Sequence, residues 1–215
     1  MCKIKNFSTE FNELNIGIAF NSEIWEKKEK KRHRYKIEQL CELNNLHYFS
    51  TPRPNRRGGG SALIIDEINF TVKEFKPQNI DNLEVTFALI KPKSEGDFTI
   101  IACALYSPPK SRKKTKLLNF IAAKYHQLKI KYPDAYFILG GDVNDLNIQG
   151  ILNISSNFQQ IVKKPTRKDK ILSVIITDLH QYYKEPEILP PIQPDILGKG
   201  KPSDHSTPFA EPILD

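Results

Sequence analysis

Apolar positions along the first fifty residues change period several times. Ile4, Phe7, Phe11 and Leu14 recur three and four apart, which predicts a helix over 3–14. Residues 15–20 then form a short apolar run and read as a buried strand. A second helix is expected over about 34–44, with Ile37, Leu40 and Cys41 on one face, and a short strand at 48–50. The stretch 51–60, rich in proline and glycine, is a loop by composition. Strands follow at 61–66, 70–75, 83–91 and 98–106; Ser107-Pro108-Pro109 ends the last, because proline cannot continue a ladder. Leu117, Leu118, Phe120, Ile121, Tyr125 and Leu128 mark an amphipathic helix over 115–131. A β-rich run at 135–139 stops at Gly140-Gly141-Asp142, and a short helix is read at 148–152. Two more strands are predicted at 161–162 and 172–177. A proline-rich irregular passage covers 184–202, and Phe209, Ile213 and Leu214 close a final strand.

Strands outnumber helices and mostly follow one another directly, which fits an α+β or layered α/β domain better than a regular βαβ array. No repeat or linker is visible, so residues 1–215 read as a single domain. At 39% hydrophobic and 27% charged, the chain is too apolar to be disordered. Its longest apolar runs are far too short for a membrane span, and no membrane partner is expected. Cys2, Cys41 and Cys103 are odd in number and widely spaced, which suits neither a disulfide framework nor a zinc site and points to a reducing compartment.

The net charge of +7 is unevenly spread. Residues 26–36 hold seven basic and two acidic side chains, residues 110–116 five basic and none acidic, and residues 163–170 five basic and one acidic. Together these exceed the whole excess, so the rest of the chain is acidic. Three such patches suggest a polyanion partner, if the fold brings them to one side; each alone would equally suit a solvated face.

Candidate chemistry lies at the ends of predicted strands, where a rigid sheet holds loop residues together. Glu23 follows the first strand, Tyr106 ends the 98–106 strand, Asp142 and Asn144 follow the 135–139 run, and Asp204 and His205 precede the last strand. Carboxylates, an Asn and a His without cysteine suit a hard, oxygen-preferring cation such as Mg²⁺, with Mn²⁺ as a substitute. Such a set is what phosphate-ester hydrolysis requires. Singly, each has an ordinary alternative: a Gly-Asp-x-Asn turn, a helix first-turn acid, a surface Asp-His pair.

Ser22-Glu23-Ile24-Trp25, Arg57-Gly58-Gly59-Gly60, Tyr106-Ser107-Pro108-Pro109, Gly141-Asp142-Val143-Asn144, Lys164-Pro165-Thr166-Arg167 and Ser203-Asp204-His205 occur in this order. Together they resemble the endonuclease/exonuclease/phosphatase superfamily, and within it the apurinic-type endonuclease domain of non-LTR (LINE-like) retrotransposons. The likeness runs from about residue 10 to 213. It implies a DNase I-like, four-layered α/β sandwich of two mixed β-sheets flanked by helices, and Mg²⁺-dependent nicking of DNA, with nuclear DNA as the expected target. By resemblance Glu23 and Asp204 are metal-side carboxylates. Asp142 orients the attacking water or protonates the leaving oxygen, Asn144 assists it, Tyr106 contacts phosphate, and His205 binds the scissile phosphate. Arg57 and Arg167, in the family's loops, and Arg112, Lys113 and Lys114, in the second basic segment, are expected to bind substrate.

The chain departs from the family pattern twice. It opens inside the helix that follows the family's first strand, so that strand and its active-site Asn are expected to be missing. The strand that usually carries an Asp supporting the catalytic His reads Leu172-Ser173-Val174-Ile175-Ile176-Thr177, with Ser173 at the supporting position. These departures set up the alternative, a degenerate remnant that at most binds DNA. A phosphatase acting on a small molecule would share the site but not the Arg-Gly-Gly-Gly and Pro-Thr-Arg loops.

Overall fold

Alternation along the most apolar strands decides the architecture. The computed structural model describes residues 11, 13–24, 31–53, 58–75, 82–94, 98–191 and 204–213, with residues 31–36 by backbone only. In chain order the elements are β1 (Ile18–Ser22), α1 (Lys31–Glu42), β2 (Leu46–Thr51), β3 (Ser61–Asp66), β4 (Phe70–Phe75), β5 (Glu84–Pro92), β6 (Ile100–Tyr106), α2 (Lys114–Lys131), β7 (Tyr136–Asp142), α3 (Gln149–Leu152), β8 (Gln159–Gln160), β9 (Ser173–Thr177), a 3₁₀ turn (His180–Tyr182), β10 (Glu187–Leu189) and β11 (Thr207–Phe209).

Six strands form the larger sheet, in the order β4-β5-β6-β7-β9-β8. It is mixed: β6 and β7 are parallel and the other neighbours antiparallel. Successive side chains of a strand point to opposite faces, and here both faces are covered. Val85, Phe87, Leu89, Ile101, Cys103, Leu105, Phe137 and Leu139 pack with Leu117, Ile121, Tyr125 and Leu128 of α2. The alternate set, including Ala88, Ile90, Ala102, Ala104 and Ile138, packs against Leu63 and Ile65 of a second sheet. That sheet has the order β1-β3-β2 and is antiparallel among the described residues. Its outer face buries Ile64 and Leu46 with Phe11 and with Cys41 of α1. The succession helix, large sheet, small sheet, helix is the four-layered sandwich the resemblance implies. The antiparallel pair β10-β11 adds to the second layer, with Ile188 and Ala210 against the same face of the large sheet.

Several strand boundaries differ from the sequence expectation. The first strand is displaced to Ile18–Ser22, because Ile16 N–H still closes the preceding turn on Phe11 O at 2.9 Å. The 135–139 strand runs on to Asp142: its glycines do not stop it but let it lie close to its neighbours. A Cβ on Gly140 would stand 2.6 Å from Cδ2 of Phe20, and one on Gly141 would press into the carbonyl of Leu105. The strand placed at 161–162 is instead Gln159–Gln160, since the Gln160 amide oxygen accepts the N–H of Val162 (3.0 Å) and of Ile175 (3.2 Å), replacing ladder bonds. The passage 184–202 is not wholly irregular, as it contains β10. Most of the 3–14 helix lies outside the described residues, though Phe11 and Glu13 are helical. Leu214 also lies outside them. Among the described residues no helix is long and apolar enough to cross a membrane.

Candidate active site

Strand register lines up one row of residues across the end of the large sheet. Glu84 of β5 pairs with Tyr106 of β6, Tyr106 with Asp142 of β7, and Asp142 with Ser173 of β9. The end of β1 closes onto this row from the second sheet. Ser22 Oγ donates to Leu105 O (2.9 Å) and accepts the N–H of Asp142 (3.0 Å), so one hydroxyl stands between β6 and β7. Glu23 therefore leaves β1 directly beside Tyr106 and Asp142.

Glu23 is held from two directions. Its N–H donates to Gly60 O at 2.9 Å, and Tyr106 donates its hydroxyl to the Glu23 carboxylate. Its φ of +54° turns the chain out of the strand, a conformation uncommon outside glycine. Burial first, then the hydrogen bond and charge of Glu23, push the Tyr106 phenol well above its ordinary range, which keeps it a neutral donor.

Asp142 is buried, with 8% of its surface exposed. Asn144 orients it through both oxygens: the backbone N–H of Asn144 reaches Oδ1 at 3.0 Å and its Nδ2 reaches Oδ2 at 2.8 Å. Asn144 Nδ2 also donates to Ser107 O at 3.0 Å. A φ of +46° at Asn144 makes this tight turn, which Asn tolerates better than most residues. Burial raises the proton affinity of Asp142 above that of an ordinary carboxylate. The charge of His205 and the Asn144 bonds oppose the rise, and the Glu23 charge adds to it.

His205 presents Nδ1 to Ser173 Oγ at 3.3 Å, and its Nε2 lies 3.9 Å from Asp142 Oδ2 and 4.0 Å from Asp204 Oδ1. Asp204 is largely exposed and pairs through Oδ2 with Arg167. The Pro-Thr-Arg turn fixes this corner. Thr166 Oγ1 accepts the N–H of both Leu172 and Ser173 at 2.9 Å, and Thr166 O accepts the N–H of Ser206 at 2.8 Å. Thr166 thereby staples the start of β9 to the segment that carries His205.

Two basic segments flank the row. Residues 163–170 border Asp204 through Arg167. Residues 110–116 rim an open groove of about 690 Å³ lined by Arg53, Glu84, Tyr106, Arg112 and Lys113. Lys114 turns away from the groove to pair with Asp145 at 2.8 Å. Arg57 lies outside the described residues, as do residues 26–30 of the basic segment 26–36, whose residues 31–36 are described by backbone only.

Glu23, Tyr106, Asp142, Asn144, Ser173, Asp204 and His205 are thus brought together from segments up to about 180 residues apart, and Arg167, Arg112 and Lys113 border them. Sequence reasoning gave no role to Arg53 or Glu84, nor to Ser22 and Thr166, which lie within the quoted motifs. For Glu84 a signal was present, a lone acid at the head of an otherwise apolar strand. Every side chain at the site that could ligate a cation offers an oxygen or an imidazole nitrogen. Among the described residues no three His, Cys, Asp or Glu side chains surround one point as a metal cage.

No family model matches the chain, and no curated protein matches it by sequence. Solved structures do match. The endonuclease domain of TRAS1, a telomere-specific non-LTR retrotransposon, is 12% identical with a TM-score of 0.64, covering 99% of this chain and 93% of that one. A mannosyl-6-phosphatase of Bacteroides thetaiotaomicron is 13% identical with a TM-score of 0.69, covering 99% and 91%. D. rerio TDP2 complexed with a single-strand DNA product is 12% identical with a TM-score of 0.57, covering 95% and 88%. At such identities likeness speaks for the fold alone: this chain has the DNase I-like fold, the four-layered sandwich it shares with these structures.

Proposed function

We propose that this protein is a divalent-metal-dependent phosphodiesterase that nicks DNA. The observation that carries the reading is the meeting of Glu23, Tyr106, Asp142, Asn144 and His205 at one sheet end, between two basic segments. A TRAS1 endonuclease domain and a TDP2 bound to single-strand DNA product share the fold, which supports nucleic acid as the substrate class.

In the hydrolysis, a water oxygen bonds to phosphorus as the bond from phosphorus to the leaving oxygen breaks. The water gives up a proton and the leaving oxygen gains one. Asp142 serves this exchange, either by orienting the water and taking its proton or by handing one to the leaving oxygen. Its raised proton affinity and its clamp of two Asn144 bonds suit either role. With Nδ1 directed at Ser173, His205 would offer Nε2, which lies 3.9 Å from Asp142 Oδ2, to a non-bridging phosphoryl oxygen. Tyr106 keeps the Glu23 carboxylate oriented.

The residues fit a hard cation. Mg²⁺ is commonly bound by one or two carboxylates and completes its shell with water and substrate phosphate, so a closed protein cage is not required. Glu23 would hold it, with Asp204 Oδ1 as the second carboxylate oxygen, since Oδ2 faces Arg167. When bound, the ion offsets charge on the phosphoryl oxygens. Lys and Arg of residues 110–116 and 163–170 would bind DNA phosphates without reading sequence.

A second reading, DNA binding without appreciable cleavage, is favoured by one observation: a neutral hydroxyl, Ser173, stands at His205 Nδ1 where the family carries an acid. Nicking of supercoiled plasmid, with and without Mg²⁺, decides between them. Mg²⁺-dependent nicking that Asp142→Asn abolishes supports the phosphodiesterase. Retardation of DNA with no nicking by either protein supports the second reading.

A further inference from the structure

The geometry points to Arg53 and Glu84 as a positioning pair for Glu23, an inference that rests on the proposed metal-side role of that carboxylate. Glu84, 5% exposed, heads β5 in the same row as Tyr106 and Asp142. Its Oε1 accepts Arg53 Nε–H at 2.7 Å, and its other oxygen accepts the N–H of Gly60. Gly60 in turn offers its carbonyl to the N–H of Glu23 at 2.9 Å. On the other side, the Arg53 guanidinium lies 5.6 Å from the centroid of the Tyr106 ring, and Tyr106 donates to the Glu23 carboxylate. Backbone and carboxylate of Glu23 are therefore supported separately, and both supports rest on one ion pair, with Glu84 buried and Arg53 partly buried.

Gly59 of the Arg-Gly-Gly-Gly turn is explained by the same pair. A Cβ on Gly59 would stand 2.5 Å from both Cζ and Nη2 of Arg53, and Gly59 and Gly60 have φ of +83° and +91°. The loop can lie flat on the pair only without side chains there. Arg53 Nη2 is buried with no hydrogen-bond partner among the described residues. That nitrogen is sealed from solvent, while the side chain as a whole is 20% exposed and lines the groove, so a direct phosphate contact by Arg53 is the alternative the test must separate from support of Glu84 and Tyr106.

Two variants test this. Glu84→Gln leaves one carbonyl oxygen to serve both Arg53 and Gly60. Arg53→Met with Glu84→Gln removes both charges together, which avoids stranding one buried ion and losing the fold. Circular dichroism and exchange protection of β5–β6 amides establish folding. In metal-free protein, exchange of the Glu23 amide should then accelerate about tenfold in each variant while the β5–β6 amides hold. The Mg²⁺ concentration for half-maximal calorimetric binding should rise about tenfold or more, the usual consequence of losing a support behind a ligand. Affinity for DNA in EDTA should stay unchanged. Unchanged Glu23 exchange in the folded double variant overturns the proposal. So does a fall in metal-free DNA affinity with a shallower salt slope, which would make Arg53 a phosphate contact. If wild-type protein binds no Mg²⁺ and nicks no DNA while Glu23 exchange still responds to the pair, the phosphodiesterase reading fails and the positioning link stands.

Discussion

Gly140 is where packing between the sheets meets the geometry of the site, and Gly140→Ala should disturb both. The new methyl would stand 2.6 Å from Cδ2 and 2.8 Å from Cβ of Phe20, well inside contact distance. Overpacking of this kind costs about 1–3 kcal/mol. The backbone at 140 suits an L-residue, so the stiffer unfolded chain returns about 0.4–1 kcal/mol. A net loss of about 1–2 kcal/mol is expected, or roughly 2–8 °C in melting temperature for a chain of 215 residues. Phe20 lies two residues before Ser22, whose hydroxyl spaces Leu105 O from Asp142 N–H. Pushing β1 outward should therefore part Glu23 from Asp142, and nicking should fall further than the folded fraction does. The assay is a double-mutant cycle in urea with Phe20→Ala, which clears the ring. The double variant should be more stable than the two single losses predict, by about 1 kcal/mol or more. Gly141→Ala provides the contrast, because its methyl would meet the Leu105 backbone, which cannot yield; Phe20→Ala should not rescue it. Additive losses for Gly140→Ala and Phe20→Ala would refute the reasoning, as would rescue of Gly141→Ala.

Asp142→Asn should stabilise the fold at pH 7 while removing at least 10²-fold of any nicking, about the usual contribution of an acid–base group. The folded carboxyl binds its proton more tightly than the unfolded one, so wild type loses stability from this group as pH rises through the raised folded pKa. The advantage of the Asn variant should thus be full at pH 7 and vanish as pH falls toward 3.8, which urea titrations at the two ends check. Ser173→Asp would place a carboxylate at His205 Nδ1 and should raise the nicking rate; an unchanged rate alongside an inactive Asp142→Asn would show that His205 does not depend on this support. Affinity for DNA should fall with salt by a slope of about −0.9 per phosphate neutralised. Arg112→Ala should reduce that slope, and Lys114→Ala should reduce it less, because Asp145 already engages Lys114. In calorimetry with Mn²⁺, Glu23→Ala should weaken binding more than Asp204→Ala, whose carboxylate is shared with Arg167; the reverse order would move the ion to the Asp204 side.

Local pattern alone determined much of this fold. The strands Ser61–Asp66 and Phe70–Phe75 match their predicted bounds to the residue, and α2 does so within one residue. Each is a continuous apolar or periodic run closed by turn residues, and burial follows directly from that. The candidate positions of Glu23, Tyr106, Asp142, Asn144 and His205 were legible for a similar reason: the first four sit at or just after the end of a strand and His205 just before the last one, and strand boundaries are readable. What the sequence could not determine is register between strands distant in the chain. Gln159 and Gln160 look like loop residues, and only pairing with Thr177 and Ile176 makes them a strand. Glu84 looks like a solvated acid at a strand start, yet register places it beside Tyr106, with Arg53 thirty-one residues away as its partner. Ser22 meets Asp142 across 120 residues, and Ser173 meets His205 across 32. Such contacts leave no periodic trace, because one hydrogen bond between two distant positions constrains neither neighbourhood. They exist only once the two apolar faces of the large sheet have been covered and the strands have no other register in which to bury them.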